Sequence, residues 1–220
     1  MEYIGFKNEY HSGKIHIYNG DCMDLLRQTP DNYYSLALVD PPYGIGVNKM
    51  TLGNGTNKIY RGKSDWDKNT PTNEYFDELF RVSKNQIIWG ANYFVDKLRP
   101  SMGWIFWDKG TGCNDFSDGE LAYSSFDRAL RKFFKSWVGA NAKDEKRIHP
   151  TQKPVALYKW LLQNYAKEGD TILDTHFGSL SIGIACHDMG FELTAIELDE
   201  DYYEAGKKRL INHQKQLNLF

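Results

Sequence analysis

The sequence predicts an α/β chain built on a largely parallel sheet with helices on both faces. Three observations predict it: short apolar or period-two runs of strand length, helical patterns lying between them, and turn or capping residues at the junctions. In chain order the strand runs are Lys14–Asn19, Ser35–Val39, Gln86–Trp89, Gly103–Trp107, Thr171–Asp174 and Leu193–Glu197. The helical patterns are Asn73–Val82, which opens behind Thr72 as a capping residue, then Pro154–Tyr165, whose proline suits a first turn. Ser181–Met189 follows and closes at Gly190, and Asp201–His213 ends the series. Strands alternating with helices of this length pair in parallel and are covered on both faces. No internal repeat or low-complexity tract interrupts the layout.

Two segments depart from it. Residues 48–69 are polar, rich in Gly and Lys, and too long for a routine connection, which predicts either a functional loop or a mobile one, carrying Lys49, Lys58, Arg61 and Lys63. Residues 109–149 are irregular, with glycines scattered among aromatics and charges. Within them Arg128, Arg131, Lys132 and Lys135 fall at i, i+3, i+4 and i+7, so a helix there would carry all four on one face. Such a face is either a solvated surface or a contact for phosphates.

The 220 residues, 41% hydrophobic and 15% aromatic, suffice for one sizeable core and are short for two, so one domain is expected. No apolar stretch reaches the length of a membrane span and the first residues lack the pattern of a signal peptide, so a cytoplasmic protein is expected. Cys22, Cys113 and Cys186 are far apart and odd in number, which indicates neither a disulfide framework nor a zinc site. The net charge of −2 gives no global attraction for a polyanion, so a nucleic-acid partner would be met by local patches.

Three segments carry chemistry. Asp40-Pro41-Pro42-Tyr43 follows a buried apolar run; its two prolines fix φ and remove two N–H donors, leaving a stiff loop of acceptors beside an aromatic face. That combination suits an exocyclic amine on a stacked base, and equally a strand-ending turn before a core tyrosine. Asp174 ends a short strand, and Thr175 to Ser181 form a turn containing Gly178 and Ser179 that leads into a helix. Small residues and free backbone N–H groups at such a turn let a polar cofactor approach. Glu197 ends the next strand, 23 residues after Asp174, near the spacing at which a carboxylate meets ribose hydroxyls. The three-glycine dinucleotide fingerprint is absent. Finally, His149-Pro150-Thr151-Gln152-Lys153-Pro154 is stiffened by two prolines ahead of a helix, which presents Thr151 and Lys153 at a fixed angle or merely caps the helix.

Together with Gly20-Asp21-Cys22 near the N-terminus and Glu197-Leu198-Asp199 with Tyr202, these segments resemble the amino-methyltransferases of DNA. The likeness is to the permuted, beta-type group in which D-P-P-Y precedes the cofactor loop, and in wording to its phage and prophage members. It extends from about Lys14 to His213. The resemblance implies a Rossmann-like methyltransferase fold with a mostly parallel seven-stranded sheet, in a single domain spanning 1–220 with 109–148 as a small inserted target-recognition region. It implies S-adenosylmethionine as cofactor, no metal, and double-stranded DNA as partner, with a homodimer as one form of assembly. The site it implies has Asp40, Pro41, Pro42 and Tyr43 as catalytic residues. Asp174, Gly178 and Ser179 would frame the methionine portion of the cofactor, Glu197 the ribose and Asp21 the adenine, with Thr151, Lys153 and Asp40 completing the pocket. Lys49, Lys58, Arg61, Lys63, Arg128, Arg131, Lys132 and Lys135 become DNA contacts by the same token. Asp at the head of P-P-Y leans toward adenine N6 in a bacterial or phage-infected cell, the alternatives being cytosine N4 or a catalytically impaired DNA-binding relative.

One departure bears on that last alternative. The family commonly writes the cofactor loop D-P-F-x-G-S-G-T, and this chain has Thr175, His176 and Leu180 where Pro, Phe and the second Gly are usual. If the position of Leu180 requires positive φ or a close backbone approach, leucine is strained there; inside the helix it is acceptable. His176 needs no catalytic part, as a core or rim residue.

Overall fold

A computed structural model describes residues 2–46, 67–111, 117–137 and 145–217. Among the described residues nine strands form one mixed sheet: β1 (Asn8–Ser12), β2 (Ile15–Asn19), β3 (Tyr34–Val39), β4 (Ser83–Trp89), β5 (Trp104–Asp108), β6 (Gly119–Ser124), β7 (Arg131–Phe134), β8 (Thr171–Asp174) and β9 (Glu192–Glu197). Their spatial order is β1-β2-β9-β8-β3-β4-β6-β5-β7. The centre from β2 through β9, β8 and β3 to β4 is parallel, as expected. The expectation of seven mostly parallel strands is corrected at both margins. β1 folds back on β2 as an antiparallel hairpin, and β6 runs antiparallel between β4 and β5. These strands are polar or half-exposed, so they lack the continuous apolar signature of a strand covered on both faces.

Among the described residues five α-helices accompany the strands: α1 (Cys22–Gln28), α2 (Asn73–Val82), α3 (Val155–Tyr165) and α4 (Ser181–Met189) between strands, and α5 (Glu200–Leu217) after the last. Alternation within each central strand sends successive side chains to opposite faces. Leu36, Leu38, Ile87, Trp89 and Ile172 pack with α3, α4 and α5, whereas Ala37, Val39, Ile88 and Leu173 pack with α1 and α2. Thr72 caps α2 as expected, its hydroxyl accepting from the Tyr75 amide at 3.3 Å. α2 buries Tyr75, Phe76, Leu79 and Val82, the face that its sequence pattern dictates.

The segment 109–148 is less irregular than expected, since β6 and β7 join the sheet within it. The helical face imagined for Arg128, Arg131, Lys132 and Lys135 does not form. Arg128 lies before a strand; its guanidinium donates to the Asn164 carbonyl near the end of α3 and sits over the Tyr165 ring. Arg131 and Lys132 are in β7, where neighbours alternate faces, and Lys132 pairs with Asp108 at 2.8 Å. The β5 pairing and the packing of Phe133 on Trp160 outweigh the helical periodicity of the charges. Lys49, Lys58, Arg61, Lys63 and Cys113 lie outside the described residues. Among the described residues, no helix is long and apolar enough to cross a membrane.

Candidate active site

The central strands end together, and the residues just past their carboxyl ends meet in one cleft. β3 leads into Asp40, β8 ends at Asp174, β9 ends at Glu197, and β2 is followed by Gly20-Asp21. From β3 the chain crosses by α2 to β4 on one side, and from β8 by α4 to β9 on the other. The β3/β8 boundary is therefore the place where connections diverge and leave a crevice. Of the expected cofactor residues, Asp21, Asp40, Thr151, Lys153, Gly178, Ser179 and Glu197 line the cleft. Asp174 does not; it is buried behind the loop, where its Oδ1 accepts from the His176 amide at 3.0 Å.

Each wall has a local cause. Gly178 has φ +49, and the His149 ring lies about where a side chain would begin, 3.3 Å from an added Cβ. A larger residue would be strained by its backbone and crowded by the imidazole. Glu197 reaches back to the same loop, its Oε2 accepting from the Gly178 amide at 2.8 Å and its Oε1 from the Asp199 amide at 3.0 Å. Burial nevertheless pushes its carboxyl up to about 7. Asp21 opens α1, with Oδ1 accepting from the Met23 amide at 2.8 Å, so it serves as a helix cap as well as a cleft residue. His176 lies in the wall between the Tyr75 ring and the Cys22 thiol, and burial lowers it to about 4.

Leu180 stands at the N-cap of α4 with φ 56 and ψ 34, the left-handed conformation that the sequence made conditional. Its side chain does not enter the cleft. It is fully buried in the core, in a niche left by Gly183 and Gly206, where an added Cβ would come within 2.7 and 3.1 Å of it. The position is strained at the backbone and packed at the side chain.

Asp40 sits at the centre of a charged network that the sequence only half revealed. Lys153, 3% exposed, donates to Asp40 Oδ2 at 2.5 Å and to Glu120 Oε2 at 3.0 Å. The Tyr43 hydroxyl donates to Asp40 Oδ1 at 2.6 Å, and Lys109 pairs with Glu120 Oε1 at 2.5 Å. Burial pushes Asp40 up against the pull of Lys153. Burial would raise Glu120 too, but the ammonium groups of Lys153 and Lys109 outweigh it and hold that carboxyl at about 2. Pro42 borders the cleft and Pro41 is buried beside it. Tyr43 lies outside the cleft lining, its ring stacked on Tyr93 at 5.1 Å and 16°. Glu120, Lys109 and Tyr93 were not anticipated, because each approaches from an element with no local motif. Among the described residues, no group of three or more His, Cys, Asp or Glu is arranged to hold a metal ion.

A family model described as a DNA methylase, N6_N4_Mtase, matches residues 99–208, half of the chain. The chain belongs to the N6/N4 DNA methylase family. The matched span holds His149 to Pro154, the Asp174 to Ser179 loop, Glu197 and Glu120, while Asp40 lies upstream of it. This N6/N4 methylase is 25% identical over 235 residues to the Type II methyltransferase M.HpaI of Haemophilus parainfluenzae, covering 86% of this chain and 72% of that protein. It is 26% identical over 239 residues to the Type II methyltransferase M2.MboI of Moraxella bovis, covering 89% and 87%. Among solved structures, the M1.HpyAVI–SAM complex superposes with a TM-score of 0.60 at 19% identity, covering 89% of this chain and 98% of that one. The PvuII DNA methyltransferase, described as cytosine-N4-specific, gives 0.59 at 13% identity, covering 96% of each. These likenesses establish that the methylase has the fold of those enzymes.

Proposed function

We propose that this N6/N4 methylase uses S-adenosylmethionine to methylate the exocyclic N6 amine of adenine in double-stranded DNA. The observation that carries the reading is Asp40: a half-buried carboxylate on a proline-stiffened loop, oriented through both oxygens, at the edge of the cleft between β3 and β8.

The cleft suits a cationic nucleoside. Asp21, Asp40 and Glu197 border it, while the buried ammonium of Lys153 is already matched by Asp40 and Glu120. S-adenosylmethionine bound there would supply an electrophilic methyl group on a cationic sulfur. Glu197 would accept from ribose hydroxyls, Gly178 and Ser179 would pass close to the methionine portion with Asp174 fixing their loop, and Asp21 would lie toward the adenine. Thr151 and Lys153 would close the remaining side.

An adenine amine is a weak nucleophile because its lone pair is delocalised into the ring. The Asp40 carboxylate and the Asp40 and Pro41 carbonyls would accept its N–H groups, favour a pyramidal nitrogen, and stabilise the positive charge that grows as the N–C bond forms. Lys153 and Tyr43 fix the carboxylate and leave it further lone pairs for the amine. The target base must leave the duplex to reach this depth, and Tyr43, backed by Tyr93, offers it an aromatic surface. In chain order the Asp40 loop precedes the Gly178 loop, which is the order of the permuted group. The Type II methyltransferases among its relatives support a place in restriction and modification.

N4 methylation of cytosine is the second reading, favoured by the shared fold of the cytosine-N4-specific PvuII enzyme; Asp40 ahead of Pro-Pro-Tyr favours adenine. Methylation-sensitive sequencing of DNA from cells expressing the chain, against a D40A control, separates them. N6-methyladenine at a defined sequence supports the first reading and N4-methylcytosine the second. Unmodified DNA from cells in which the chain is expressed, folded and soluble refutes both.

A further inference from the structure

Glu120 reaches the amine site from β6, a strand with no part in the cofactor cleft, and its two oxygens join Lys109 at 2.5 Å and Lys153 at 3.0 Å. The resulting chain of charges runs Lys109, Glu120, Lys153, Asp40, alternating in sign and neutral as a whole. Its members are mostly enclosed: the side chains of Lys109, Glu120 and Asp40 are 20%, 21% and 15% exposed, and that of Lys153 2%. Remove the Glu120 charge and the same volume holds two ammonium groups against one carboxylate. That imbalance would face a nitrogen that becomes cationic during methyl transfer, beside a cofactor that is cationic before it. Little solvent is available there to screen it.

We propose that Glu120 is a positioning residue for methyl transfer, holding the Lys153 ammonium between two carboxylates and supplying the negative charge that lets Asp40 serve a developing cation. The proposal rests on the methyltransferase reading above. Glu120 does not itself line the cofactor cleft; it acts through Lys153, which does. Lys153 is also faced by the Tyr43 hydroxyl at 3.3 Å and the Trp89 ring at 5.3 Å, with His149, Asp174 and Tyr158 as the other titratable groups around the network.

The test begins with wild-type protein, whose single-turnover methyl transfer to DNA must be measurable; its absence would count against the methyltransferase reading and not specifically against Glu120. With that established, E120Q should transfer more slowly by about 100-fold, the scale of losing one preorganised charge-stabilising group. Cofactor and DNA affinities should change far less. The E120Q rate should climb with rising pH more than the wild-type rate does, because Lys153 loses one of the two carboxylates that raise it and gives up its proton more readily. K109M/E120Q removes one charge of each sign and should recover at least about tenfold of the loss, because charge balance and not the carboxylate alone is restored. An independent readout is the titration of Lys153 in unliganded protein, followed by 13C-labelled lysine NMR and assigned with K153M: E120Q should lower its midpoint, and K109M/E120Q should raise it again. A wild-type rate in E120Q overturns the proposal. So does a slow E120Q whose rate ignores both pH and the K109M change while its fold, read by circular dichroism, is intact. Should E120Q fail to fold, K109M/E120Q decides alone: a folded double variant with an unmoved Lys153 midpoint and activity supports charge balance, and a folded but inactive one overturns it.

Discussion

Replacing Leu180 should rank glycine above alanine, the reverse of their order inside a helix, because the residue stands at the N-cap of α4 in the left-handed region. The residue combines φ 56 with complete burial, two features that act in opposite directions on stability. A β-carbon in the left-handed region costs about 1–2 kcal/mol relative to glycine. Truncating a buried leucine to alanine costs about 2–5 kcal/mol, and neither Gly183 nor Gly206 has a side chain that could fill the void. L180A keeps the backbone strain and loses the packing, so it should be destabilised by about 3 kcal/mol. L180G loses the same packing but releases the strain, against about 0.4–1 kcal/mol for the greater freedom of glycine in the unfolded chain. The release exceeds that cost, so L180G should be the more stable of the two by roughly 0.5–1 kcal/mol, equivalent to about 1–4 °C in Tm for a chain of this size. Both should remain below wild type, because burial outweighs strain. Urea denaturation followed by circular dichroism gives the ranking directly. If L180A equals or exceeds L180G, the strain assigned to this backbone is wrong; if L180G exceeds wild type, the packing assigned to the side chain is wrong. Because the side chain points away from the cleft, L180G should bind cofactor within about threefold of wild type once corrected for folding, a bound set by the small rearrangement that preserves Gly178.

The other expectations concern the site and its surroundings. Tyr43→Ala should lower methyl transfer by at least about tenfold while leaving cofactor affinity nearly unchanged in isothermal titration, since the ring lies outside the cofactor cleft; normal turnover would remove its stacking role. Glu197 is raised from 4.5 to about 7, so the folded protein keeps a proton that the unfolded chain releases. That contribution is fully present below about pH 4.5 and is lost as pH rises through 7. Thermal midpoints should therefore fall less from pH 5 to 7 in E197Q than in wild type, and cofactor affinity should rise from pH 6 to 8 only in wild type; parallel curves would contradict this. Arg131 is exposed on β7, and R131E should weaken DNA binding and reduce its log-salt slope by about 1, measured by fluorescence anisotropy at several salt concentrations. Arg128 is held by the Asn164 carbonyl and Tyr165, so R128E should lower Tm as well; a loss of DNA affinity alone would show that its contacts to α3 contribute little.

How much could be read from the residues depended on how local the cause was. Asn73–Val82 and Ser181–Met189 were delimited correctly because a capping threonine opens the first and Gly190 ends the second, signals within a turn of the boundary. The central parallel strands were legible for a similar reason, as each carries a short run of apolar residues that both covered faces bury. β6 was missed because its first half faces a charged network instead of core, which puts Gly119 and Glu120 where a strand pattern expects apolar residues. The basic stripe misled because charges at helical spacing carry no information about pairing, and β7 is made by its register with β5.

The site divides along the same line. The residues themselves determined that a stiff acceptor loop at Asp40, a glycine turn at Gly178 and a carboxylate at Glu197 stand at strand ends, because prolines, glycines and strand length act over a few neighbours. They also posed the question at Leu180 in conditional form. Only the tertiary structure decided that Leu180 is left-handed yet turned into the core, that Asp174 backs the cleft instead of lining it, and that Tyr43 stacks on Tyr93. Only it brought Glu120 and Lys109 to Lys153 and Asp40. Ion pairs between residues far apart in the chain leave no spacing to read. Their geometry is fixed by strand register and burial, and those belong to the whole fold.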